Sequence, residues 1–223
     1  MKIGIISDIH ANVYGLRAVL EKLKDTDIIL CAGDIIGYYT FVNEVFDELR
    51  KNKVIFIKGN HDRIFLGDEK TSIKLINDSL KLTREIISKN NLSLLKKAGS
   101  VFQTKLGGLR IGLYHESPWG KNFRVYPNFK EFDKFKKIED GVIILGHTHY
   151  PLVKKAGKKI IINPGSCGQP RDNNPKASLA ILDTETGKVV LKRVAYDQFP
   201  VIEAVRNHQL SQALIDILKR GQS

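Results

Sequence analysis

Residues 1–10 read MKIGIISDIH, and the order of residue types in this stretch decides the fold. Residues 3–6 form an apolar run of the length of a short buried strand. Asp8 and His10 follow this run at once, and Asn12 then predicts an N-cap for an amphipathic helix. The stretch therefore predicts a buried strand, a loop that carries polar side chains, and a helix.

The same order of residue types occurs twice more in the first third of the chain. An apolar run at residues 28–32 leads to Asp34, and another at residues 54–57 leads to the motif GNHD at residues 59–62. A helix is predicted between these two runs, at about residues 41–50. Three strands that alternate with two helices predict a parallel sheet with right-handed crossovers, and hence an α/β protein.

The remainder of the chain is predicted to contain a helical segment and a more antiparallel sheet. Residues 64–98 look mainly helical, with a polar break at Asn90 and Asn91, and we expect this segment to pack beside or over the site. Further helices are predicted at about residues 128–138 and 202–218. The strands predicted in this part are residues 101–106, 109–114, 142–145, 160–162, 178–182 and 188–194.

Length and composition predict one globular domain over residues 1–223. No apolar run approaches the roughly eighteen residues that span a bilayer, and no signal-peptide cleavage site is recognisable, so we expect a cytoplasmic protein without membrane contact. The two cysteines, Cys31 and Cys167, form no disulfide framework. The net charge of +12 favours anionic partners, which include anionic substrates such as phosphorylated small molecules or nucleotides, nucleic acid, and acidic surfaces, unless the surface lysines serve only solubility.

Five clusters of Asp, Asn and His share one position, which is the end of a predicted strand. Five of the six histidines lie in these clusters, and only His208 lies elsewhere. Because ligands of α/β sheets bind beyond the carboxyl ends of the strands, we expect the clusters to converge. Nitrogen and oxygen donors without thiolate favour Mn, Fe, Zn, Co or Ni, and their number indicates two divalent ions with Asp34 as the bridge. The predicted ligands are Asp8, His10, Asp34, Asn60, His115, His147 and His149.

In their order along the chain, the clusters resemble the motifs D-x-H, G-D, G-N-H-D/E, H and G-H-x-H of the calcineurin-like metallophosphoesterases. The matching positions are Asp8-Ile9-His10, Gly33-Asp34, Gly59-Asn60-His61-Asp62, His115 and Gly146-His147-Thr148-His149. Each motif alone is common, whereas five in this order are specific. The sequences NPGS at residues 163–166 and QPRD at residues 169–172 are similar to small bacterial and archaeal phosphodiesterase-type members.

The resemblance implies a four-layer α/β/β/α sandwich of two mixed sheets flanked by helices. It implies that one ion, with Mn favoured, is held by Asp8, His10, Asp34 and His149, and the other by Asp34, Asn60, His115 and His147. It also implies that a metal-bridging hydroxide attacks phosphorus in line, while His61 stabilises or protonates the leaving oxygen. Asp62 would orient His61.

Some positions depart from other members of this superfamily. The arginine that clamps phosphate in its Ser/Thr protein phosphatases is absent, because Asp34 is followed by isoleucines at residues 35–36. The GNHD motif ends in Asp62 rather than Glu, and Glu116 stands where small relatives usually have Gly. We therefore favour a phosphodiester or nucleotide over a phosphoprotein as substrate. Arg171 is a candidate for the missing clamp, since a guanidinium can hold phosphate through two hydrogen bonds; the alternative is a solvated loop arginine.

Two other functions stay open at this point. One is a phosphomonoesterase that acts on phosphoproteins or small molecules, which the missing arginine disfavours. The other is a basic protein that binds nucleic acid or a scaffold and keeps only a vestigial site, although the presence of all seven ligands argues against decay. The sequence leaves the substrate, the native metal and the oligomeric state undetermined.

Overall fold

The computed structural model describes residues 1–121 and 123–221 and contains two five-stranded mixed sheets that pack face to face. The strands are β1 (Lys2–Ile6), β2 (Ile28–Cys31), β3 (Ile55–Phe56), β4 (Val101–Leu106), β5 (Leu109–Tyr114), β6 (Val142–Ile144), β7 (Pro151–Ala156), β8 (Lys159–Pro164), β9 (Ala177–Asp183) and β10 (Val189–Val194). The helices are α1 (Val13–Leu23), α2 (Val42–Lys51), α3 (Asn60–Leu66), α4 (Lys74–Ile86), α5 (Lys89–Lys97), α6 (Phe199–Asn207) and α7 (Ala213–Leu218), with a 3-10 helix at Phe132–Lys137.

The first sheet has the strand order β10-β9-β1-β2-β3. Strand β1 pairs in parallel with β2, and β2 with β3, which confirms the predicted βαβαβ start. The antiparallel strand β9 adds to the other side of β1. The run in β1 is continuously apolar because both faces of the sheet are covered. Ile3 and Ile5 face the second sheet, whereas Ile6 packs against helices on the outer side.

The second sheet has the strand order β4-β5-β6-β8-β7. Strands β5, β6 and β8 pair in parallel, and β4 and β7 are antiparallel edge strands. Leu113 and Ile144 of this sheet meet Ile5 of the first in the core between the sheets. Helices α1, α2, α6 and α7 cover the outer face of the first sheet, while Phe132 and Phe135 of the 3-10 helix cover that of the second. These layers confirm the predicted sandwich.

Three of the predicted helix boundaries are wrong. Helix α5 runs through Asn90 and Asn91, and the break lies at Ser88, whose hydroxyl accepts the N–H of Asn91 at 3.2 Å and so caps α5. The helix predicted at residues 128–138 is the shorter 3-10 helix. The C-terminal pattern at residues 202–218 forms α6 and α7, because a turn between them lets both apolar faces reach one core. In the described ranges, no helix combines the length and the apolar character needed to cross a membrane.

Strand β7 is not predicted by the sequence pattern. Only Leu152 and Ala156 in this strand are buried, and Val153, Lys154 and Lys155 between them are exposed. Lysines on an edge strand protect it from pairing with another chain, but here they remove the alternation that signals a strand. The basic run at residues 154–159 predicts a hairpin turn; in the structure it contains the end of β7, a turn at residues 157–158 and the start of β8.

Candidate metal centre

All seven predicted ligand residues lie together, where the loops at the carboxyl ends of the two sheets meet. In the first sheet, Asp8 and His10 follow β1, Asp34 follows β2, and Asn60 follows β3 at the start of α3. The second sheet supplies the three histidines that follow β5 and β6. Because parallel strands end at the same edge of a sheet, short loops suffice to bring residues that are distant in sequence into one site.

Five of these seven residues have backbone angles that residues with side chains rarely adopt. The positive φ angles are 54° at Asp8, 50° at His10, 53° at Asp34, 67° at His147 and 62° at His149. Such conformations cost about 1–3 kcal/mol each and persist only where the surrounding structure enforces them. The loops enforce them on one another, since the N–H of His10 donates to the carbonyl of Asp34 at 2.9 Å. Strained backbone of this kind is typical of functional sites, where it turns side chains in a required direction.

One group of ligand atoms belongs to Asp8, His10 and His149. The two Nε2 atoms of the histidines lie 3.1 Å apart, and that of His149 lies 3.3 Å from Oδ1 of Asp8. Nδ1 of His10 donates to the carbonyl of Ile36 at 3.3 Å, and Nδ1 of His149 donates to that of residue 169 at 2.5 Å. Burial lowers the pKa of both rings, so each Nε2 carries a lone pair. Electron pairs therefore face one another here, an arrangement that a cation would satisfy.

A second group belongs to Asp34, Asn60, His115 and His147. Oδ1 of Asn60 lies 3.0 Å from Nε2 of His115 and 2.8 Å from Nδ1 of His147. Oδ2 of Asp34 lies 3.4 Å from the same Nε2 of His115. Nδ1 of His115 donates to the carbonyl of Ala32 at 2.7 Å, which turns Nε2 into the site. These four residues are the set that the family resemblance implies for the second ion.

Asp34 stands between the two groups. Its Oδ2 lies 3.7 Å from Nε2 of His10 in the first group and 3.4 Å from Nε2 of His115 in the second. Its Oδ1 accepts the backbone N–H of His61 at 2.8 Å, which leaves Oδ2 directed at both groups. Glycine is required at Gly59, because a Cβ there would lie 2.1 Å from Oδ1 of Asp34. This placement is the one that a bridging carboxylate needs.

The two histidines of the second group differ in charge. Burial lowers the pKa of His147 to about 3. Burial acts in the same direction on His115, but Asp34 and Asp8 outweigh it and raise the pKa of His115 to about 10. Burial likewise opposes the charged form of Asp34, but His115 and His61 outweigh it and hold the pKa of Asp34 well below its usual value. A metal ion bound here would compete with the proton on His115.

His61 lies beside the two groups and lines the cavity above them. Its ring packs edge-on against His10 with centroids 4.7 Å apart, and its centroid lies 4.5 Å from that of Tyr38. A ring nitrogen of His61 is within 4.8 Å of ligand atoms of His10 and Asp34. Nδ1 of His61 is buried and has no hydrogen-bond partner in the described part of the chain, and burial lowers the pKa of the ring to about 4. The ring is therefore neutral, and its Nδ1 is left without a hydrogen bond to any described residue.

The carboxylate of Asp62 binds backbone N–H groups and not the ring of His61, which the sequence predicts as its partner. Its carboxylate accepts the backbone N–H groups of Ile35 at 3.1 Å, Ile36 at 3.1 Å and Gly59 at 2.8 Å. Among the described residues, no hydrogen bond or ion pair joins this carboxylate to the ring of His61, which corrects the prediction that Asp62 orients that ring directly. Asp62 instead ties the loop after β2 to the start of α3.

Replacing Asp62 with asparagine is expected to lower the free energy of unfolding by about 1 kcal/mol. Whichever way the amide is turned, its NH₂ group faces a backbone N–H that then has no acceptor. Burial raises the pKa of Asp62 to about 7, so the neutral amide also relieves some desolvation and offsets part of the loss. Urea unfolding of chelator-treated protein measures the change. Asp25→Asn, the same exchange at an exposed position, is the control, and equal stability of Asp62→Asn and wild type would contradict this role.

A cavity of about 540 Å³ opens above the two ligand groups. Its floor includes Asp34 and Asn60 together with the two histidines that follow β6. Ile64, Ile73 and Ile76 line one side. The helical part of the chain after the GNHD motif thus supplies an apolar portion of the wall. The sequence pattern places this segment beside or over the site but does not identify the side chains that line the cavity.

Arg171 lies in the wall of this cavity. Its guanidinium donates to the hydroxyl of Tyr38 at 3.0 Å and to Oε1 of Gln169 at 2.8 Å, and it lies 5.7 Å from the centroid of the Tyr38 ring. Neither partner is a carboxylate, so the contacts hold the group in place without neutralising it. Arg171 is therefore held in the cavity wall by two neutral partners.

The sequence analysis did not find a chain of ion pairs beside the site, which is buried at Arg63 and Glu116 and exposed at Lys121. Arg63 pairs with Glu116 and, at 2.6 Å, with Glu69, and it donates to the carbonyl of Lys58 at 3.2 Å. Lys121 reaches Glu69 at 2.8 Å. The one sequence signal is Glu116 itself, a charged residue where small relatives usually have glycine. These pairs join the loop after β5 to the loop after α3.

Known proteins share both the sequence and the fold of this chain. Residues 1–187 match the model of the calcineurin-like phosphoesterase superfamily domain. An uncharacterized protein of Methanocaldococcus jannaschii is 32% identical over 99% of this chain and 98% of its own length. A phosphodiesterase of the same organism is 27% identical over 83% of this chain and 94% of its own. The crystal structure of a metallophosphoesterase from Sphaerobacter thermophilus superposes with a TM-score of 0.84 at 27% identity, covering 99% of this chain and 100% of that one.

Proposed function

Because the chain belongs to the calcineurin-like phosphoesterase superfamily, we propose that it is a two-metal enzyme that hydrolyses phosphodiester or nucleotide phosphate bonds. The observation that carries this proposal is the position of Asp34, whose Oδ2 faces both ligand groups. Relatives named phosphodiesterase support a phosphoric ester hydrolase. We take residues 1–223 as one domain that carries this site.

The proposed ligands fall into two sets that share one carboxylate. The first set is Asp8, His10, Asp34 and His149, and the second is Asp34, Asn60, His115 and His147. Neutral imidazole and carboxylate or amide oxygen suit Mn, and also Fe, Zn, Co and Ni. When bound, two such ions supply hydroxide at neutral pH and stabilise the charge that develops on the phosphoryl oxygens.

We assign proton transfer to His61. Because burial lowers its pKa to about 4, the ring is neutral at neutral pH and offers one N–H as a donor. An anionic phosphate beside the ring would favour its protonated form, so the ring could also release a proton to the leaving oxygen. The backbone of His61 is fixed by its hydrogen bond to Asp34, and Asp62 fixes the adjoining turn. Asp62 therefore supports catalysis through the position of this loop.

We assign phosphate binding to Arg171. Tyr38 and Gln169 already hold its guanidinium, so little side-chain freedom is lost when substrate binds. A guanidinium can donate two parallel hydrogen bonds to a phosphoryl group. Arg171 thus takes, from a different loop, the role of the arginine that is absent after Asp34.

Chelator-treated protein is expected to show no hydrolysis of bis-p-nitrophenyl phosphate above background, and Mn²⁺ is expected to restore it. The reason is that, in the proposed mechanism, bound metal ions generate the attacking hydroxide from water at neutral pH. Release of p-nitrophenol measures turnover, and elemental analysis of the reconstituted protein should give two ions per chain. Failure of Mn, Co, Ni, Fe and Zn alike to restore activity would contradict the proposal.

Measurements on the same preparation distinguish this function from the two alternatives, a phosphomonoesterase and a nucleic-acid-binding protein. Faster turnover of p-nitrophenyl phosphate than of the diester would assign the enzyme to the phosphomonoesterases. Salt-sensitive binding of nucleic acid without any metal-dependent hydrolysis would instead indicate a basic binding protein with a vestigial site.

A further inference from the structure

We propose that the cavity contains a second anion-binding subsite, formed by Arg124 and Lys70, which receives a phosphate group next to the one that is hydrolysed. The inference rests on the proposed function and narrows its substrate class to compounds with neighbouring phosphates, such as nucleoside polyphosphates. Both side chains line the same cavity as the two ligand groups. They come from two separate parts of the chain, the loop between α3 and α4 and the loop after β5.

The charges in the cavity wall show which cations are left to bind substrate. Glu116 is paired with Arg63, and Glu69 with both Arg63 and Lys121. The positive charge of Lys121 is therefore already matched by Glu69. This accounts for both carboxylates of the wall outside the ligand groups.

Three cations of the cavity have no carboxylate partner within residues 1–121 and 123–221. They are Lys70, Arg124 and Arg171. A phosphodiester group carries one negative charge, which Arg171 together with the metal centre already addresses. The remaining two cations favour a ligand with further negative charge.

The two arginines come from different loops around the cavity. Arg124 lies in the loop after β5, and Arg171 lies between β8 and β9. Both line the cavity above the ligand groups, so a substrate there would meet two separate guanidinium groups.

The rim of the cavity favours a small molecule over a nucleic-acid strand. The Lys121 to Glu69 ion pair joins the two loops that carry Arg124 and Lys70. Neighbouring phosphates joined by one oxygen suit a compact subsite, whereas phosphates in a strand are separated by a sugar. The ligand that fits this subsite is therefore a small molecule with neighbouring phosphates, such as a nucleoside polyphosphate.

The test compares AMP with ADP as competitive inhibitors of bis-p-nitrophenyl phosphate hydrolysis by the metal-loaded protein, with Mn²⁺ in large excess over nucleotide. ADP is expected to bind about tenfold more tightly than AMP, because one further charged hydrogen bond contributes about that factor. In Arg124→Met the ratio of the two inhibition constants should fall to about one, and in Arg124→Lys it should lie between. Lys158→Met, which removes a charge in the turn between β7 and β8, is the control and should keep the wild-type ratio.

Two results would overturn the subsite. One is equal inhibition by AMP and ADP in the wild type; the other is an unchanged ratio in Arg124→Met. Tighter inhibition by the dinucleotide pTpT than by ADP would assign the subsite to a nucleic-acid strand and reject the small-molecule ligand. If no metal supports hydrolysis, the proposed function fails, but equilibrium dialysis of AMP and ADP against the Mn²⁺-treated protein still measures the ratio and decides the subsite separately.

Discussion

Replacing Asp34 with asparagine is expected to reduce Mn²⁺-dependent turnover by at least about a hundredfold, because groups that merely support a metal ligand already cost about 10–100-fold when lost. Oδ1 of Asp34 accepts the N–H of His61, so the oxygen of an asparagine amide is held by that bond. The NH₂ group would then face His10 and His115, where a metal-binding oxygen is needed. Both ligand groups lose a donor in one substitution.

Turnover of bis-p-nitrophenyl phosphate and metal content per chain are the two measurements for Asp34→Asn. Metal content should fall below two ions together with activity. Asp25→Asn, at an exposed position just after the end of α1, should leave turnover and metal content unchanged. Two retained ions with near wild-type turnover would show that Asp34 is not the shared ligand.

Replacing His61 with alanine is expected to lower turnover by about 10²–10⁴-fold, the usual contribution of a group that transfers a proton in the transition state. The metal content should stay near two ions, because the two ligand groups are complete without the imidazole of His61. The backbone N–H of residue 61 remains, so the hydrogen bond to Asp34 is kept. Loss of turnover without loss of metal is therefore the expected signature of a catalytic histidine.

The control for this variant is His208→Ala, which removes the one histidine outside the site, at an exposed position after α6. It should change neither turnover nor metal content. A ring nitrogen of His61 lies within 4.8 Å of possible ligand atoms of His10 and Asp34. Loss of one ion in His61→Ala would therefore reassign His61 as a metal ligand.

The first sheet and the convergence of the seven proposed ligand residues were predictable because each rests on a local pattern. An apolar run that stops at Asp8 or Asp34 marks a strand end, and strand ends of one sheet meet at one edge. Five histidines at such ends made the convergence of His115, His147 and His149 with the first sheet an expected result. What these residues bind stays a prediction that the metal measurements test.

The cavity wall was not predictable, because it depends on contacts between loops that are far apart in sequence. No local pattern shows that Arg63 bridges Glu69 and Glu116, or that Arg124 lines the cavity above the ligand groups. Asp62 was misjudged for a related reason: its neighbour His61 suggested a pair, whereas its carboxylate accepts two backbone N–H groups of another loop, those of Ile35 and Ile36, and that of Gly59 in its own motif. Side-chain partners follow from the packing of the sheets rather than from adjacency.

Each ligand group draws donors from both halves of the sandwich, as His10 and His149 do although 139 positions separate them. The two cysteines are both free and buried, so no disulfide ties these halves together. An ion bound between them would act as a reversible cross-link, and any ligand that binds only the folded chain raises its resistance to unfolding. Metal supply would then govern how long this protein survives proteolysis in the cell, as well as how fast it turns over substrate.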